Sequence, residues 1–283
     1  MLQVQKSILK KIYKKRNPWS HKGQFGRLFA IVGSERHTGS PIFVGLAAYR
    51  AGCDLAYLAG PKRAMDVSAS YSPLLITEPL EGRRLEERHI PQVLKVMNEV
   101  GATAVVIGNG LWRTPETRRA IVQLIGKIDL PMVIDADAIR AVSAAKEKLA
   151  GKKVVLTPHA DEFREFSGST VSTNLNDRIK KVKHEAERIR QVIVLKGHID
   201  VIASEKIVAL NKTGTEYMTK GGCGDTLAGI CGALLARGIE PFTAACAATY
   251  INGRAGEIAA RKLKESLTPV DLIDNIPFAI QGR

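Results

Sequence analysis

The sequence has little of what membrane, secreted and nucleic-acid-binding proteins depend on. It contains no apolar run close to the ~20 residues that cross a bilayer. Its four cysteines form no C-x-x-C pair and lie in apolar or glycine-rich surroundings, which predicts reduced core residues of a cytoplasmic protein. Aromatic residues make up 5% of the chain, and no known nucleic-acid-binding motif occurs. We therefore expect neither a nucleic-acid partner nor a membrane partner.

Acidic residues are absent from the first sixteen positions, where six of the basic residues behind the net charge of +14 lie. Val4, Ile8 and Ile12 recur there at helical spacing. The segment lacks an uninterrupted apolar stretch and a small-residue cleavage site, so it does not resemble a secretory signal. We predict a basic arm over 1–20 that docks through its apolar stripe while its lysines stay solvated, and a single domain over 21–283.

The remainder alternates between apolar strands and helices. The predicted strands are 28–34, 55–59, 103–107, 131–135 and 153–156, and the predicted helices between them are 41–51, 115–128 and 137–149. Continuous apolar strands alternating with helices indicate an α/β fold: a mostly parallel sheet covered on both faces. Ser40 followed by Pro41 is a typical helix start, with the serine as N-cap.

The alternation of strands and helices stops after Gln191. The apolar runs 192–196, 201–203 and 206–210 are joined by short turns, which predicts antiparallel hairpins at one edge of the sheet. Helices over about 227–237 and 241–251 and a tail helix follow. Because ligands bind beyond the carboxyl ends of the strands in such sheets, the segments after the strands should converge on one cleft. These segments are 33–34, 108–110, 135–137, 157–159 and 196–197.

The segment Thr219–Thr226, TKGGCGDT, is the most informative part of the chain. Its glycines let backbone amides turn towards one point just before a helix, where the helix dipole also favours a phosphate. We predict an anion hole at Gly221, Gly222, Cys223 and Gly224. Asp225 lies where an N-cap belongs, and a carboxylate there suits a hydroxyl that must lose a proton as it attacks a phosphoryl group. By itself, the motif is equally compatible with an ordinary glycine turn and a capping aspartate.

Taken together, these segments resemble the NAD(P)H-hydrate dehydratases, ribokinase-like enzymes that repair hydrated nicotinamide cofactors. The matching stretches, in the family's order, are HKGQFGRLFAIVGS (21–34), TGSP (38–41), GNGLW (108–112), PMVIDADAI (131–139), VVLTPHADEF (154–163), VIVLKGHIDVIA (192–203) and TKGGCGDTLAGI (219–230). The resemblance implies a ribokinase-like three-layer αβα sandwich with a mostly parallel central sheet and antiparallel edge hairpins.

Three positions depart from the family pattern. Trp112 and Asp161 stand where the family usually has glycine, and residues 196–200 (KGHID) replace a turn of small residues. The first two departures touch the hydrate end of the site, and the third touches its nucleotide end. We expect no fused epimerase domain of the kind found in many relatives, because no segment of this sequence is long enough to hold it.

The resemblance also implies roles for individual residues. Asp225 is the catalytic base, and Ser40, Gly110, His159 and Asp225 bind the hydrate; an N-cap role for Ser40 and a structural role for His159 are the alternatives. The implied nucleotide-binding residues are Lys196, Gly197, His198, Ile199, Asp200 and Gly224, with an ordinary hairpin turn as the alternative for His198 and Ile199. For Asp135 and Asp137 we favour a structural role over a metal-facing one, and we assign no protein metal ligands.

The implied reaction is a lyase reaction in which the S-epimer of NADHX or NADPHX is phosphorylated on its hydroxyl by ADP or ATP. Phosphate then leaves and the ring double bond re-forms, with Mg²⁺ between the nucleotide phosphates. ADP is favoured weakly over ATP, and a homo-oligomer, a tetramer, is expected. A ribokinase-like vitamin-precursor kinase would use the same base and anion hole. A nucleotide-binding regulator without activity is a third reading, which the intact glycine motif argues against.

Overall fold

Ten strands form one sheet in the computed structural model, which describes residues 1–282. The strand order is β1-β10-β9-β8-β7-β6-β5-β2-β3-β4. The strands are β1 (Leu2–Gln3), β2 (Arg27–Ile31), β3 (Leu55–Pro61), β4 (Ile76–Leu80), β5 (Ala104–Ile107), β6 (Met132–Ile134), β7 (Val154–Leu156), β8 (Val192–Leu195), β9 (Asp200–Ala203) and β10 (Val208–Asn211). All neighbours from β8 to β4 are parallel, whereas β9 runs antiparallel to β8 and β10. The predicted parallel sheet and its antiparallel hairpins are confirmed.

Helices cover both faces of the sheet. They are α1 (Ser7–Ile12), α2 (Gly39–Arg50), α3 (Lys62–Tyr71), α4 (Ile90–Glu99), α5 (Pro115–Lys127), α6 (Asp137–Val142), α7 (Ala160–Ser167), α8 (Leu175–Ile189), α9 (Cys223–Ala236), α10 (Pro241–Leu263) and α11 (Pro269–Gln281). None of the helices within residues 1–282 is both long enough and apolar enough to span a bilayer.

Successive residues of the central strands face two separate cores. Along β2, Leu28 and Ala30 join the cluster with α2, α9, α10 and α11, whereas Phe29 and Ile31 join the cluster with α4 to α8. All four side chains are fully buried. Because side chains alternate across a strand, a strand covered on both faces must be apolar at every position, which is the pattern that the sequence shows.

The N-terminal arm packs on the body of its own subunit. β1 adds to the sheet beside β10, and Leu9 and Ile12 are buried in the cluster with α9 and α10. The Arg237 guanidinium donates to the carbonyls of Ile12 and Ala51, which ties the arm to the ends of α9 and α2. Lys10, Lys11, Lys14 and Lys15 remain exposed, whereas Arg16 forms an ion pair with Asp54 at 3.3 Å.

Several helix boundaries differ from the predictions. α6 ends at Val142, with a short 3₁₀ turn at Lys146–Leu149, and α3, α4, β4, α7, α8 and β1 were not predicted. α10 was predicted to end at Ile251, because the following Asn252-Gly253 pair favours a helix end, but it continues to Leu263. A Cβ at Gly253 would lie 2.4 Å from the Thr213 hydroxyl oxygen, so this glycine allows close packing inside the helix.

Candidate active site

A cavity of about 680 Å³ lies at the carboxyl edge of the parallel strands. Its walls come from the segments after β6, β7 and β8, from the glycine loop before α9, and from the loop after β10. The lining residues include Asp135, His159, Lys196 and Asp225. Three of the five predicted segments, 135–137, 157–159 and 196–197, contribute to the lining, because parallel strands deliver their following residues to the same edge.

Asn109 joins two carboxylates at the base of this cavity. Its side-chain amide donates to Asp135 Oδ2 at 2.9 Å and to Asp225 Oδ1 at 2.8 Å. Asp135 also accepts from the Thr157 hydroxyl at 2.8 Å and from the Lys196 ammonium at 3.0 Å. Within residues 1–282 the buried Asn109 Oδ1 atom has no hydrogen-bond partner. The site therefore holds two carboxylates, one cation and an unused carbonyl acceptor.

Burial raises the pKa of Asp225 from 3.8 to about 6. The Asp135 carboxylate raises this pKa further by repulsion, whereas hydrogen bonds from Asn109 and Ser40 and the charge of Lys196 oppose the rise. A carboxylate with a pKa near 6 is mostly ionised at neutral pH and is a stronger base than an exposed aspartate. This is the tuning that general-base catalysis requires.

Lys196 is the cation of the site. Burial by itself would lower the pKa of Lys196, but the charges of Asp135 and Glu162 outweigh that effect and raise this pKa above its ordinary value. The Glu162 carboxylate lies 3.7 Å from the ammonium. Lys196 is therefore charged, and it is positioned next to Gly224, where a Cβ would be 3.5 Å from its Nζ.

The glycine loop presents unused amides at the start of α9. Gly222 has φ +102°, and the amides of Gly221, Gly222 and Gly224 donate to no group within residues 1–282. The Cys223 amide, in contrast, donates to the Lys220 carbonyl, so it does not contribute to the predicted anion hole. Three free amides at a helix N-terminus suit a phosphate.

The two predicted N-cap assignments are wrong. α9 begins at Cys223 with Gly222 as its N-cap, so Asp225 lies within the first turn and its carboxylate contacts Asn109. α2 begins at Gly39 with Thr38 as its N-cap, which places Ser40 in the first turn as well. The Ser40 hydroxyl is consequently available to Asp225, whose pKa it lowers.

The segment 196–200 forms a tight turn beside the cavity. The Asp200 carboxylate accepts from the Gly197 amide at 3.1 Å and from Asn211 at 3.0 Å, while burial raises the pKa of Asp200 to about 6. His198 lines the cavity, but Ile199 packs against the core on the α4–α8 face. The turn thus presents only part of the predicted nucleotide-binding stretch to the cavity.

His159 lines the cavity and also caps a helix. Its Nδ1 accepts from the backbone amides of Asp161 and Glu162 at the start of α7. The Glu162 carboxylate in turn accepts a hydrogen bond from the His159 amide. Because Nδ1 is engaged as an acceptor, a neutral ring carries its proton on Nε2. The histidine therefore has a structural role at Nδ1, its Nε2 lies 3.3 Å from Glu162 Oε1, and the residue lines the cavity.

Asp135 and Asp137 point to different places although one residue separates them. Ala136 adopts φ +49°, a turn conformation that non-glycine residues rarely occupy. Asp135 faces the cavity, whereas Asp137 accepts from the Trp112 amide at 2.9 Å and from the Arg113 side chain at 3.0 Å. The structural role expected for Asp137 agrees with these contacts, but Asp135 belongs to the site.

Gly110 and Ser40 lie together beside Asp225. A Cβ at Gly110 would be 3.0 Å from the Ser40 hydroxyl oxygen and 2.8 Å from His37 Cβ, so only glycine leaves this space open. The sequence analysis did not identify Asn109 as a site residue, although Asn109 lies in the GNGLW segment (108–112). The segment does not show which carboxylates the Asn109 amide reaches. The sequence analysis also missed the cavity wall made by residues 213–218, Asn252 and Gly253, for which the sequence carries no signal.

Comparisons with known proteins point to one family. The family profile described as NAD(P)H-hydrate dehydratase matches residues 28–278. The bifunctional NAD(P)H-hydrate repair enzyme Nnr of Hyperthermus butylicus is 40% identical over 93% of this chain and 50% of its own length. The ADP-dependent (S)-NAD(P)H-hydrate dehydratase of Cenarchaeum symbiosum is 35% identical over 93% of this chain and 91% of its own length.

A solved structure shows the same architecture. The ADP/ATP-dependent NAD(P)H-hydrate dehydratase of Bacillus subtilis, co-crystallised with ATP and Mg²⁺, aligns with a TM-score of 0.84 at 26% identity and covers 99% of this chain and 98% of its own. The chain spans about half the length of the first curated relatives that it matches, which are bifunctional, and nearly the whole of the single-activity relatives.

Proposed function

Because this chain belongs to the NAD(P)H-hydrate dehydratase family, we propose that it converts the S-epimer of NADHX or NADPHX back to NADH or NADPH at the expense of a nucleotide. The observation that supports this most strongly is the Asp225 carboxylate. It is buried beside three free amides at the start of α9, and it has a pKa raised to about 6. A base next to an anion site is the arrangement that phosphoryl transfer to a hydroxyl requires.

In the proposed reaction Asp225 removes the proton from the hydrate hydroxyl as its oxygen attacks the terminal phosphoryl group of the nucleotide. The amides of Gly221, Gly222 and Gly224 and the Lys196 ammonium stabilise the charge on the transferred group. Phosphate then leaves the ring carbon, the neighbouring carbon loses a proton, and the double bond re-forms. Ser40 and Asn109 hold the Asp225 carboxylate in place through hydrogen bonds.

The residues present fit a magnesium ion bound together with a nucleotide. Asp135 and Asp225 face the cavity, and the Asn109 carbonyl has no partner within residues 1–282. Over the same residues no cluster of three or more histidine, cysteine or acidic groups exists to form a complete cage. Mg²⁺ is characteristically held by one or two carboxylates plus substrate phosphates. Asp135 would hold the ion together with the nucleotide phosphates, and the ion would neutralise charge on those phosphates, which leaves Asp225 as the base.

ADP is the proposed phosphoryl donor. Relatives that match this chain over nearly their whole length carry the description ADP-dependent, in Cenarchaeum symbiosum and in Nitrosopumilus maritimus. Initial rates at saturating ADP and saturating ATP test the choice, and a clear preference for ATP would reverse it.

The protein is also proposed to be a cytoplasmic homo-oligomer, with a tetramer as the expected state. Its four cysteines are buried and free, which suits a reducing compartment. The side chains of Tyr71, Leu74 and Val270 are 54%, 52% and 42% exposed around a groove between α2 and α11, and such an apolar face suits a second copy. Light scattering tests this, and a monomer at micromolar concentration would refute it.

The deciding experiment incubates the purified protein with NADHX, Mg²⁺ and ADP or ATP while NADH absorbance is followed. We expect NADH and inorganic phosphate to appear together, and the Asp225→Asn variant serves as the inactive control. The competing function is a small-molecule kinase. That outcome is recognised by consumption of the nucleotide with the phosphoryl group retained on an organic product and no NADH formed.

A further inference from the structure

Trp112 adopts a backbone conformation that favours glycine. Its φ is +78°, in the left-handed region that a bulky side chain rarely occupies. The conformation is held from both sides, because the Trp112 amide donates to Asp137 at 2.9 Å and the preceding Leu111 is fully buried. A large side chain that is kept in an unfavourable backbone conformation indicates that the side chain contributes something specific.

The half-buried indole packs against the exposed side chains of Arg36 and His37 next to the hydrate end of the site. The His37 ring lies edge-on to it with centroids 5.6 Å apart, and the Arg36 guanidinium lies 4.5 Å from the centroid of the indole ring. His37 and Ser40 both border the position that a Cβ on Gly110 would occupy. The Ser40 hydroxyl in turn acts on Asp225. A series of neighbouring side chains therefore leads from Trp112 through His37 and Ser40 to the proposed base.

Arg36 is a cation without an acidic partner. Over residues 1–282 it forms no ion pair, whereas the neighbouring Arg113 is bound by Asp137. An arginine stacked on an aromatic ring at the entrance of a site presents a positive charge and a flat apolar surface together. This combination is complementary to a phosphate that is attached to a planar base.

We propose that Trp112 and Arg36 form a specificity-determining subsite for the pyrophosphate and adenosine arm of the hydrated dinucleotide. The indole stacks on the adenine ring and Arg36 binds the pyrophosphate, while Asp225 holds the hydrated ring. This inference rests on the proposed function, since it assigns the far end of that same substrate. The subsite is distinct from the ADP cavity, whose lining includes neither Trp112 nor Arg36.

Trp112→Gly is a suitable test because glycine accepts φ +78° without strain, so the variant should fold at least as well as the wild type. We expect the KM for NADHX to rise about tenfold with kcat and the KM for ADP nearly unchanged, in line with the cost of losing one base-stacking contact. The KM for the hydrated mononucleotide, which lacks the adenosine, should stay within about twofold of the wild-type value. Trp112→Phe should recover most of the loss.

A second readout does not depend on turnover. In a Trp19→Phe background Trp112 is the only tryptophan, because the chain has two and Trp19 is 90% exposed elsewhere. Without added ADP, which carries the same adenosine diphosphate group, ADP-ribose should quench the indole fluorescence in a saturable manner, and Arg36→Gln should weaken this binding severalfold. Trp19→Phe alone should leave the kinetics unchanged.

The possible results separate the two proposals. If the wild-type protein does not convert NADHX with either nucleotide, the proposed function fails, and the fluorescence titration still reports on the subsite. If the wild type is active but Trp112→Gly has an unchanged KM for NADHX and ADP-ribose causes no quenching, the subsite is refuted. Equal increases in KM for the dinucleotide and the mononucleotide would also refute it, because the indole would then contact the hydrated ring.

Discussion

The side-chain amide of Asn109 donates a 2.8 Å hydrogen bond to the carboxylate of Asp225, across 116 positions of the chain. The same amide group binds Asp135, so one neutral residue holds two carboxylates close together. Their repulsion and their burial keep the pKa of Asp225 near 6, whereas the hydrogen bond keeps it from rising further. Burial therefore sets the strength of the proposed base for the most part, and the hydrogen bond from Asn109 limits the rise of its pKa.

Asp225→Asn should abolish turnover and leave nucleotide binding nearly intact. Removing a general base typically costs ~10²–10⁴-fold in rate, whereas the amides of the glycine loop are untouched. Steady-state rates and calorimetric titration with ADP measure the two effects. Turnover at the wild-type rate in this variant would contradict the assigned mechanism.

The same variant should be more stable than the wild type above pH 6. The pKa of Asp225 is raised from 3.8 to about 6 on folding, so its favourable contribution is complete below pH 3.8 and is lost as pH rises through 6. Asparagine never ionises. The free energy of unfolding of Asp225→Asn should therefore exceed that of the wild type by about 3 kcal/mol at most near pH 8, and the difference should vanish near pH 3.5. Denaturant titrations at the two pH values check this, and an advantage that is equal at both would contradict the pKa assignment.

Asn109→Ala should move the acidic limb of the pH–rate profile to higher pH. Activity requires ionised Asp225, so kcat/KM should fall as pH decreases through about 6 in the wild type. Without the Asn109 hydrogen bond the pKa of Asp225 rises, so the acidic limb of the pH–rate profile moves to higher pH by the same amount. Asn275→Ala, which removes a hydrogen bond to the Asp271 carbonyl on α11, is the matched control. A limb that shifts to lower pH would exclude the proposed role.

Gly222→Ala should disrupt the anion site. Its Cβ would lie 2.7 Å from both Phe43 and Pro269, and φ +102° is unfavourable for alanine. We expect the KM for ADP to rise at least about tenfold and the free energy of unfolding to fall by about 1–3 kcal/mol. Gly168→Ala is the control for the backbone cost alone, because Gly168 has φ +79° and nothing within 4 Å of its Cβ position. Equal losses in the two variants would show that packing at Gly222 is unimportant.

Deleting residues 1–16 should reduce stability much more than nucleotide affinity. Leu9 and Ile12 are buried against the body, and losing such a side chain costs roughly 2–5 kcal/mol, whereas the ADP cavity contains no residue of the arm. The control replaces the exposed Lys10, Lys11, Lys14 and Lys15 by glutamine, which removes charge but no buried surface. Slower turnover at low salt in that control would instead indicate electrostatic steering of the anionic substrates.

Local sequence signals determined the order and type of the central elements. The apolar runs at β2, β5 and β6 predict buried parallel strands because each strand is covered on both faces. Gly238 follows the end of α9 with φ +80°, a conformation that glycine adopts readily. The convergence of Lys196, Asp135 and the glycine loop also follows from the sequence, since parallel strands end at one edge. These features depend on neighbouring residues or on the general geometry of a sheet.

Only the tertiary structure decided what the site residues contact. Asp225 and Ser40 are not N-caps, Asp137 holds Trp112 instead of facing the cavity, and the glycine-rich segment before β2 lies at the opposite end of that strand. There the Asp54 carboxylate accepts from the amides of Gly23 and Phe25. Each of these contacts joins residues that are distant in the chain. Their partners are selected by how helices and strands pack against one another, and no local pattern of residue types encodes that selection.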